Sequence, residues 1–319
     1  MTRIGVISNP LSQRNRRGLG GVRTVLARHP DVLHVELDAV ADLDTVLADL
    51  ARQEVDFLVV NGGDGTVQAV LTELCNGAAF AQPPPLAIVS GGMTNLIALD
   101  VGLRGRPDKA LARLIERVQS GGCEQVRRRL LALTRAPGEL PVYGMFFGAA
   151  AFYRAVLFTR GKIHSLGAEG SAAAGLALTA MISHILLRRG PTSAQFYQGE
   201  DMAIDLDGAR QEEESYFLIL ATTLDRLLLG LMPFWGNGTG HIRYTSVAFP
   251  PPKLARALVP VMRGRPKSWM AESGYHSRLT NDVAITTTLP VVLDGEIFQP
   301  TAAAPIVLRS DREAVFARC

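Results

Sequence analysis

Short apolar runs alternate with helical patterns through the first third of the chain. "RIGVIS", "LHVELDA", "DFLVV" and "LAIVS" read as strands. "LGGVRTVLARH", "LDTVLADLARQ", "TVQAVLTEL" and "PDKALARLIERVQ" read as the helices that follow them, with apolar residues three and four apart. Apolar strands separated by amphipathic helices predict βαβ units and a parallel sheet. After the glycine pair at 121–122 the rhythm changes. "EQVRRRLLALTR" and "VYGMFFGAAAF" read as strands joined by the turn "APGELP". "SYFLILATT", "HIRYTSVAF", "DMAIDLDG", "NDVAITTTLPVVLDG" and "APIVLRS" follow, two of them ending in the hairpin dipeptide Asp-Gly. The predicted organisation is a Rossmann-like, doubly wound α/β domain over residues 1–123. An antiparallel β-sandwich with one or two helices follows over 124–319, and roughly the last 18 residues return to the first domain.

Residues 171–187, "SAAAGLALTAMISHILL", form the one stretch that resembles a membrane span. It is alanine-rich, interrupted by Ser183 and His184, and short for a span, so it reads as a buried or interfacial helix stopped by "RRGP". Charge adds little. A net charge of +3 suits an anionic ligand or membrane surface, and 6% aromatic residues leave little for stacking nucleic-acid bases. Cys75, Cys123 and Cys319 are far apart, with no CxxC pair. Neither a zinc site nor a disulfide framework is expected, and a reducing cytoplasm is the expected setting. The opening "MTRIGVISNP" has no signal-peptide core, and the six histidines have no ligand-like spacing.

The chemistry concentrates in "DFLVVNGGDGTVQAVLTEL". A buried strand ends, a glycine turn follows, and a helix begins. In open α/β sheets ligands bind at the carboxyl ends of strands, and a helix N-terminus there offers N–H groups and a positive dipole end to phosphate. Asp64 in that turn would repel phosphate unless a divalent cation lay between them, so the loop predicts a metal–nucleotide site with Asp64 on the metal. A plain helix-capping Asp is the competing reading.

The five residues Gly62, Gly63, Asp64, Gly65 and Thr66 resemble the nucleotide signature of the diacylglycerol kinase catalytic-domain family, which includes sphingosine, ceramide and bacterial lipid kinases. NAD kinases share the signature. Three further stretches resemble that family in order and spacing. "NPLSQRNRR" is similar to its first nucleotide loop through Asn9, Pro10 and Ser12. "SGGMTNLIA" is similar to its Gly-Thr-x-Asn loop through Gly92 and Asn95, with Thr94 between them and Met93 in place of threonine. "VVLDGEIF" matches its Asp-Gly-Glu motif with Asp294, Gly295 and Glu296. Three features depart from the pattern: Gln68-Ala69 after the signature, the missing asparagine in "FFGAAAFYRA", and Thr239 at an aspartate position.

The resemblance implies an ATP- and Mg²⁺-dependent lipid kinase acting on a diacylglycerol-like or sphingoid-like hydroxyl. Loops 62–66 and 91–95 would hold nucleotide and Asp64 would orient Mg²⁺. Glu296 would accept the hydroxyl proton with Asp294 beside it, facing the nucleotide across a cleft between the domains. Arg14, Arg16 and Arg17 meet phosphate or form a solvated basic loop. The apolar "LDRLLLGLMPFWG" walls a lipid pocket, touches the bilayer, or is a core strand with its loop. The expected partners are a lipid substrate and the inner membrane surface, contacted peripherally from the cytoplasm; a homodimer is compatible, and nucleic acid is not expected. The competing functions are an NAD kinase-like enzyme and a catalytically silent lipid- or nucleotide-binding protein on a kinase scaffold.

Overall fold

The computed structural model describes residues 2–92, 95–166, 197–227, 230–301 and 304–318. The apolar stretch at 171–187, with His184, lies outside them, as do Met93 and Thr94. The chain divides into two compact units. One comprises Met1–Leu130 with Arg312–Cys319, the other Leu131–Asp311.

The first unit is α/β. Strands β1 (Ile4–Ser8), β2 (Leu33–Glu36), β3 (Phe57–Gly62), β4 (Leu86–Ser90) and β5 (Glu124–Arg129) join the last strand, β19 (Glu313–Arg318), in one sheet. Its order is β2-β1-β3-β4-β19-β5. All neighbours run parallel except β19 and β5. Strand alternation divides the apolar residues between two faces. Val6, Val59 and Val89 pack with Leu19, Val22 and Leu26 of α1 (Asn15–Leu26) and with Leu111, Leu114 and Val118 of α5 (Pro107–Gln119). Ile7, Leu58, Val60 and Ile88 point the other way and are equally buried, with α3 (Asp64–Asn76) against β3 and α2 (Leu43–Arg52) against α3. A short helix, α4 (Leu96–Val101), leaves β4.

The predicted strand "EQVRRRLLALTR" is two strands in two different units. Its first half is β5; its second is β6 (Leu131–Thr134), in the second unit. At the break the Leu130 N–H donates to the Arg312 carbonyl, so the chain leaves the first sheet where it later returns. Asp100 anchors that return: its buried carboxylate meets Arg128 Nε at 2.9 Å and Arg318 Nη2 at 3.4 Å. One sequence expectation fails here. Cys123 is disulfide-bonded. The spacing of three scattered cysteines carries no signal for such a pairing.

The second unit is two sheets face to face. One has the order β11 (Ala209–Arg210), β10 (Ala203–Leu206), β15 (Asp282–Thr286), β18 (Ile306–Arg309), β6, β7 (Val142–Gly144). The other runs β14 (Tyr275–Thr280), β13 (Ile242–Ala248), β12 (Ser215–Thr222), β8 (Phe146–Ala150), β16 (Val291–Leu293), β17 (Glu296–Phe298), with β9 (Glu200–Asp201) beside β12. Pairing throughout is antiparallel. Leu133, Ile204, Ile285 and Leu308 from one sheet and Phe147, Ile219, Tyr244 and Leu293 from the other fill the space between them. Helix α6 (Ala151–Leu166) begins directly after β8. Ala257 and Val261 of α7 (Leu254–Met262) pack with Phe217, Val247 and Tyr275, on the outer face of the second sheet.

Candidate active site

β1, β3 and β4 are adjacent, and the carboxyl end of each opens into a turn that starts a helix. The first, second and third predicted nucleotide loops are these three turns. They are tied directly to one another. The Asn9 Nδ2 donates to Thr66 Oγ1 at 2.9 Å, while its Oδ1 accepts the Leu11 N–H. Ser12 Oγ accepts the Gly63 N–H at 3.2 Å and lies 3.5 Å from Thr66 Oγ1. Pro10 lies in the intervening turn, closed by the Ser12 N–H on the Asn9 carbonyl. The Gly91 N–H donates to the Gly62 carbonyl at 2.8 Å, and the Arg14 N–H to the Gly91 carbonyl at 2.9 Å.

Asn15 is a contributor that sequence reasoning missed. Its buried Nδ2 donates to the carbonyls of Asn9 at 2.8 Å and Asn61 at 3.0 Å, joining the first loop to β3. The visible signal was an asparagine at the start of a helix, which alone suggests only a cap.

The glycines serve this packing first. A Cβ on Gly92 would lie 2.5 Å from Gly63 Cα, and one on Gly91 would lie 2.9 Å from Gly62 Cα. Two glycine backbones therefore pass face to face, closer than any side chain permits. Asn95 closes the third loop in the left-handed region at φ +50°, where asparagine is tolerated. Its Oδ1 accepts the Gly92 N–H at 2.9 Å and its Nδ2 donates to the Gly92 carbonyl at 2.7 Å.

Asp64, the first residue of α3, accepts the N–H groups of Leu96 at 3.0 Å and Ile97 at 3.2 Å. It thereby caps α4, a helix other than its own. Loss of solvation pushes its carboxyl up to about 6, and the backbone N–H groups of Leu96, Ile97 and Asn95 offset only part of that rise. The capping reading and the charged-site reading of Asp64 are thus compatible. Oδ2 accepts the Leu96 N–H and Oδ1 the Ile97 N–H.

α1 and α3 both start at this edge, and Asp64 is the sole acidic residue in their first turns. Arg14 and Arg16 are exposed beside them. Two helix N-termini and nearby guanidinium groups fit phosphate. Among the described residues no group of three His, Cys, Asp or Glu side chains forms a metal cage. One carboxylate fits Mg²⁺, which takes one or two protein ligands and fills its shell with phosphate and water; it does not fit Ca²⁺ or Zn²⁺.

In the second unit, β16 and β17 are joined by Asp294-Gly295, with φ +50° and +88°. Positive φ at both central residues makes this the type I′ hairpin that Asp-Gly favours. Asp294 is buried, and its carboxylate accepts the N–H of Met145 at 3.0 Å and of Phe146 at 2.8 Å. This explains why the predicted strand "VYGMFFGAAAF" breaks into β7 and β8 at Met145. Asp294 is thus held by backbone on both oxygens, while Glu296, two residues on, is exposed at the start of β17. In the apolar "LDRLLLGLMPFWG", Leu224, Leu227 and Phe234 are buried, while Leu231, Met232 and Trp235 are half-buried. Thr239 is exposed.

No curated protein matches the chain in sequence. Among solved structures, a diacylglycerol kinase from Bacillus anthracis str. Sterne is similar at a TM-score of 0.61 and 16% identity, over 98% of this chain and 96% of that one. Two further structures from the same strain align at TM-scores of 0.65 and 0.64, with 17% and 16% identity and the same coverage. At that identity the likeness fixes the fold over nearly the whole length of both chains. The model of the diacylglycerol kinase catalytic domain matches residues 3–121, the span that holds all three interlocked loops, and over that span the chain is similar to the diacylglycerol kinase catalytic domain.

Proposed function

We propose that the chain is an ATP- and Mg²⁺-dependent lipid kinase that phosphorylates the hydroxyl of a diacylglycerol-like or sphingoid-like lipid at the membrane surface. The observation that carries this reading is the interlocked set of turns after β1, β3 and β4, built from Asn9, Ser12, Gly62, Gly63, Thr66, Gly92 and Asn95. When bound, Mg·ATP supplies the transferable phosphoryl group and neutralises its charge. Asn9, Pro10, Ser12, the 62–66 turn and Gly92, Thr94 and Asn95 would hold the nucleotide. Asp64 fixes the third loop through Leu96 and Ile97 and would hold the metal. Glu296 takes the proton of the acceptor hydroxyl, and Asp294 sets its position through the hairpin turn. Arg14 and Arg16 attract the phosphates.

The test is phosphate transfer from labelled ATP to a panel of lipid hydroxyls in mixed micelles: diacylglycerol, monoacylglycerol, a sphingoid base and phosphatidylglycerol. Label in an organic-extractable product, dependent on Mg²⁺, is expected. ATP binding by calorimetry with no labelled lipid would indicate a silent nucleotide-binding protein. Label moving onto NAD⁺ instead would indicate an NAD kinase.

A further inference from the structure

The chain contains no acidic residue between Asp225 and Glu272, yet the later part of that interval is strongly basic. Lys253, Arg256, Arg263, Arg265 and Lys267 are all exposed, on α7 and the loop after it. Among the described residues none of the five has a carboxylate partner; the nearby pairs use Arg243 with Asp225 and His276 with Glu213. Elsewhere among the described residues some exposed arginines sit beside an acid, as Arg23 does with Glu36, Arg106 with Asp108 and Arg309 with Asp282, and single ones such as Arg28 and Arg104 do not. Five uncompensated cations in a short segment repel one another. That cost is relieved only by a polyanionic partner or by salt.

The helix geometry sharpens the picture. Ala257 and Val261 face inward and are buried. Arg256, Val259 and Arg263 lie three and four residues apart on the outward side, with Val259 55% exposed. An exposed apolar side chain thus stands between two arginines on one helix face. At the foot of the helix the Lys253 ammonium lies 5.2 Å from the centre of the half-buried Trp269 ring, so the loop and the helix start are held together. A cationic helix face with an apolar centre is the pattern of surfaces that lie in the headgroup plane of anionic bilayers. Nucleic acid is the weaker fit, because the two tryptophans of the region, Trp235 and Trp269, are half-buried against the apolar cluster beneath α7.

We propose that the outer face of α7 together with residues 263–267 docks on the anionic surface of a lipid bilayer. The proposal deepens the lipid-kinase reading and rests on it for the choice of a bilayer over other polyanions. Its test uses no turnover, so failure of one does not imply failure of the other.

The experiment is flotation of the full chain, without nucleotide, with vesicles of phosphatidylcholine alone and of phosphatidylcholine with phosphatidylglycerol. Binding is expected only with the anionic vesicles, weakening as salt rises. Each basic residue near an anionic surface contributes about a fivefold factor in partitioning. Arg256→Gln with Arg263→Gln is therefore expected to weaken binding about 25-fold, with an unchanged thermal midpoint. The control pair Arg28→Gln with Arg104→Gln, also exposed, is expected to have no effect. Val259→Asp is expected to weaken binding without removing a cation. Equal binding to neutral vesicles would overturn the proposal. So would wild-type-like binding by the Arg256/Arg263 variant, or absence of vesicle binding at low salt with tight binding to RNA.

Discussion

The carboxylate of Asp64 accepts the backbone N–H of Leu96 at 3.0 Å, across 32 residues of sequence, and so joins the turn after β3 to the helix after β4. One side chain thus fixes the relative placement of two of the three predicted nucleotide loops. The third is fixed to them by Asn9 on Thr66 and by Asn15 on the Asn61 carbonyl. The three loops are thus held to one another by hydrogen bonds within the protein itself, and donors fixed in that way need little reorganisation to meet a charge.

Asp64 makes stability pH-dependent in a defined direction. Its folded carboxyl is raised from 3.8 to about 6 by desolvation, so the folded chain holds a proton there that the unfolded chain has released. The contribution is fully present below the unfolded value and is lost as pH rises through the folded one. Wild-type protein is therefore expected to lose on the order of 1–3 kcal/mol from this group between about pH 4 and pH 6. Asp64→Asn is expected to flatten that part of the profile and to abolish nearly all turnover. Urea melts across the pH range measure the first effect and initial rates against Mg²⁺ the second. A variant with the wild-type pH slope would show that Asp64 is not the raised group.

Two glycine substitutions separate loop packing from helix propensity. Gly92→Ala places a methyl group 2.5 Å from Gly63 Cα and 3.1 Å from Asn95 Oδ1, and is expected to cost about 1–3 kcal/mol and weaken ATP binding. Gly20→Ala sits within α1 with nothing within 4 Å of the added carbon. It is expected to stabilise by about 0.5–1 kcal/mol and leave ATP binding alone. Thermal melts and calorimetry on the pair check both signs.

The elements that local pattern could specify were legible: the apolar runs of β1, β3 and β4 and the glycine turns after them. The Asp294-Gly295 hairpin was too, because its turn chemistry lies in two adjacent residues. What the sequence did not reveal depends on distant partners. Leu130 divides what reads as one alternating strand because Arg312, far along the chain, takes its N–H. Met145 breaks another because Asp294 takes its N–H across 149 residues. The short helix α4 went unseen because its cap, Asp64, belongs to another element. The glycines of 62–66 and 91–92 were legible as close-approach positions, but that the approaching groups were each other was not.

The return of the chain to the first sheet hangs on Asp100. Its buried carboxylate lies between Arg128 of β5 and Arg318 of β19. Removing one partner of a buried pair leaves an uncompensated charge, which usually costs about 3–5 kcal/mol. Asp100→Asn leaves two guanidinium groups facing each other and is expected to lower stability by that order. Because Asp100 lies in α4, directly after the third loop, ATP affinity should fall with it. Denaturant unfolding and calorimetry test the two effects; an Asp100→Asn protein as stable as wild type would show that the pair contributes nothing net.

Asp294 and Glu296 stand two residues apart and are expected to fail differently. Asp294 accepts two backbone N–H groups, Met145 and Phe146, in a buried setting. An amide there can accept with one atom only and turns its own N–H₂ toward a donor. Asp294→Asn is therefore expected to cost about 1–3 kcal/mol of stability, and to lower kcat because the hairpin that carries Glu296 loses its anchor. Glu296 is exposed, so Glu296→Gln should leave stability within about 0.5 kcal/mol of wild type. If Glu296 is the proton acceptor, kcat on the best lipid falls by about 100-fold or more, with the KM for ATP unchanged. Urea melts and initial rates on both variants separate the roles. Loss of kcat in Asp294→Asn at full stability would move Asp294 from positioning into the chemistry. A near-normal kcat in Glu296→Gln would remove Glu296 from it.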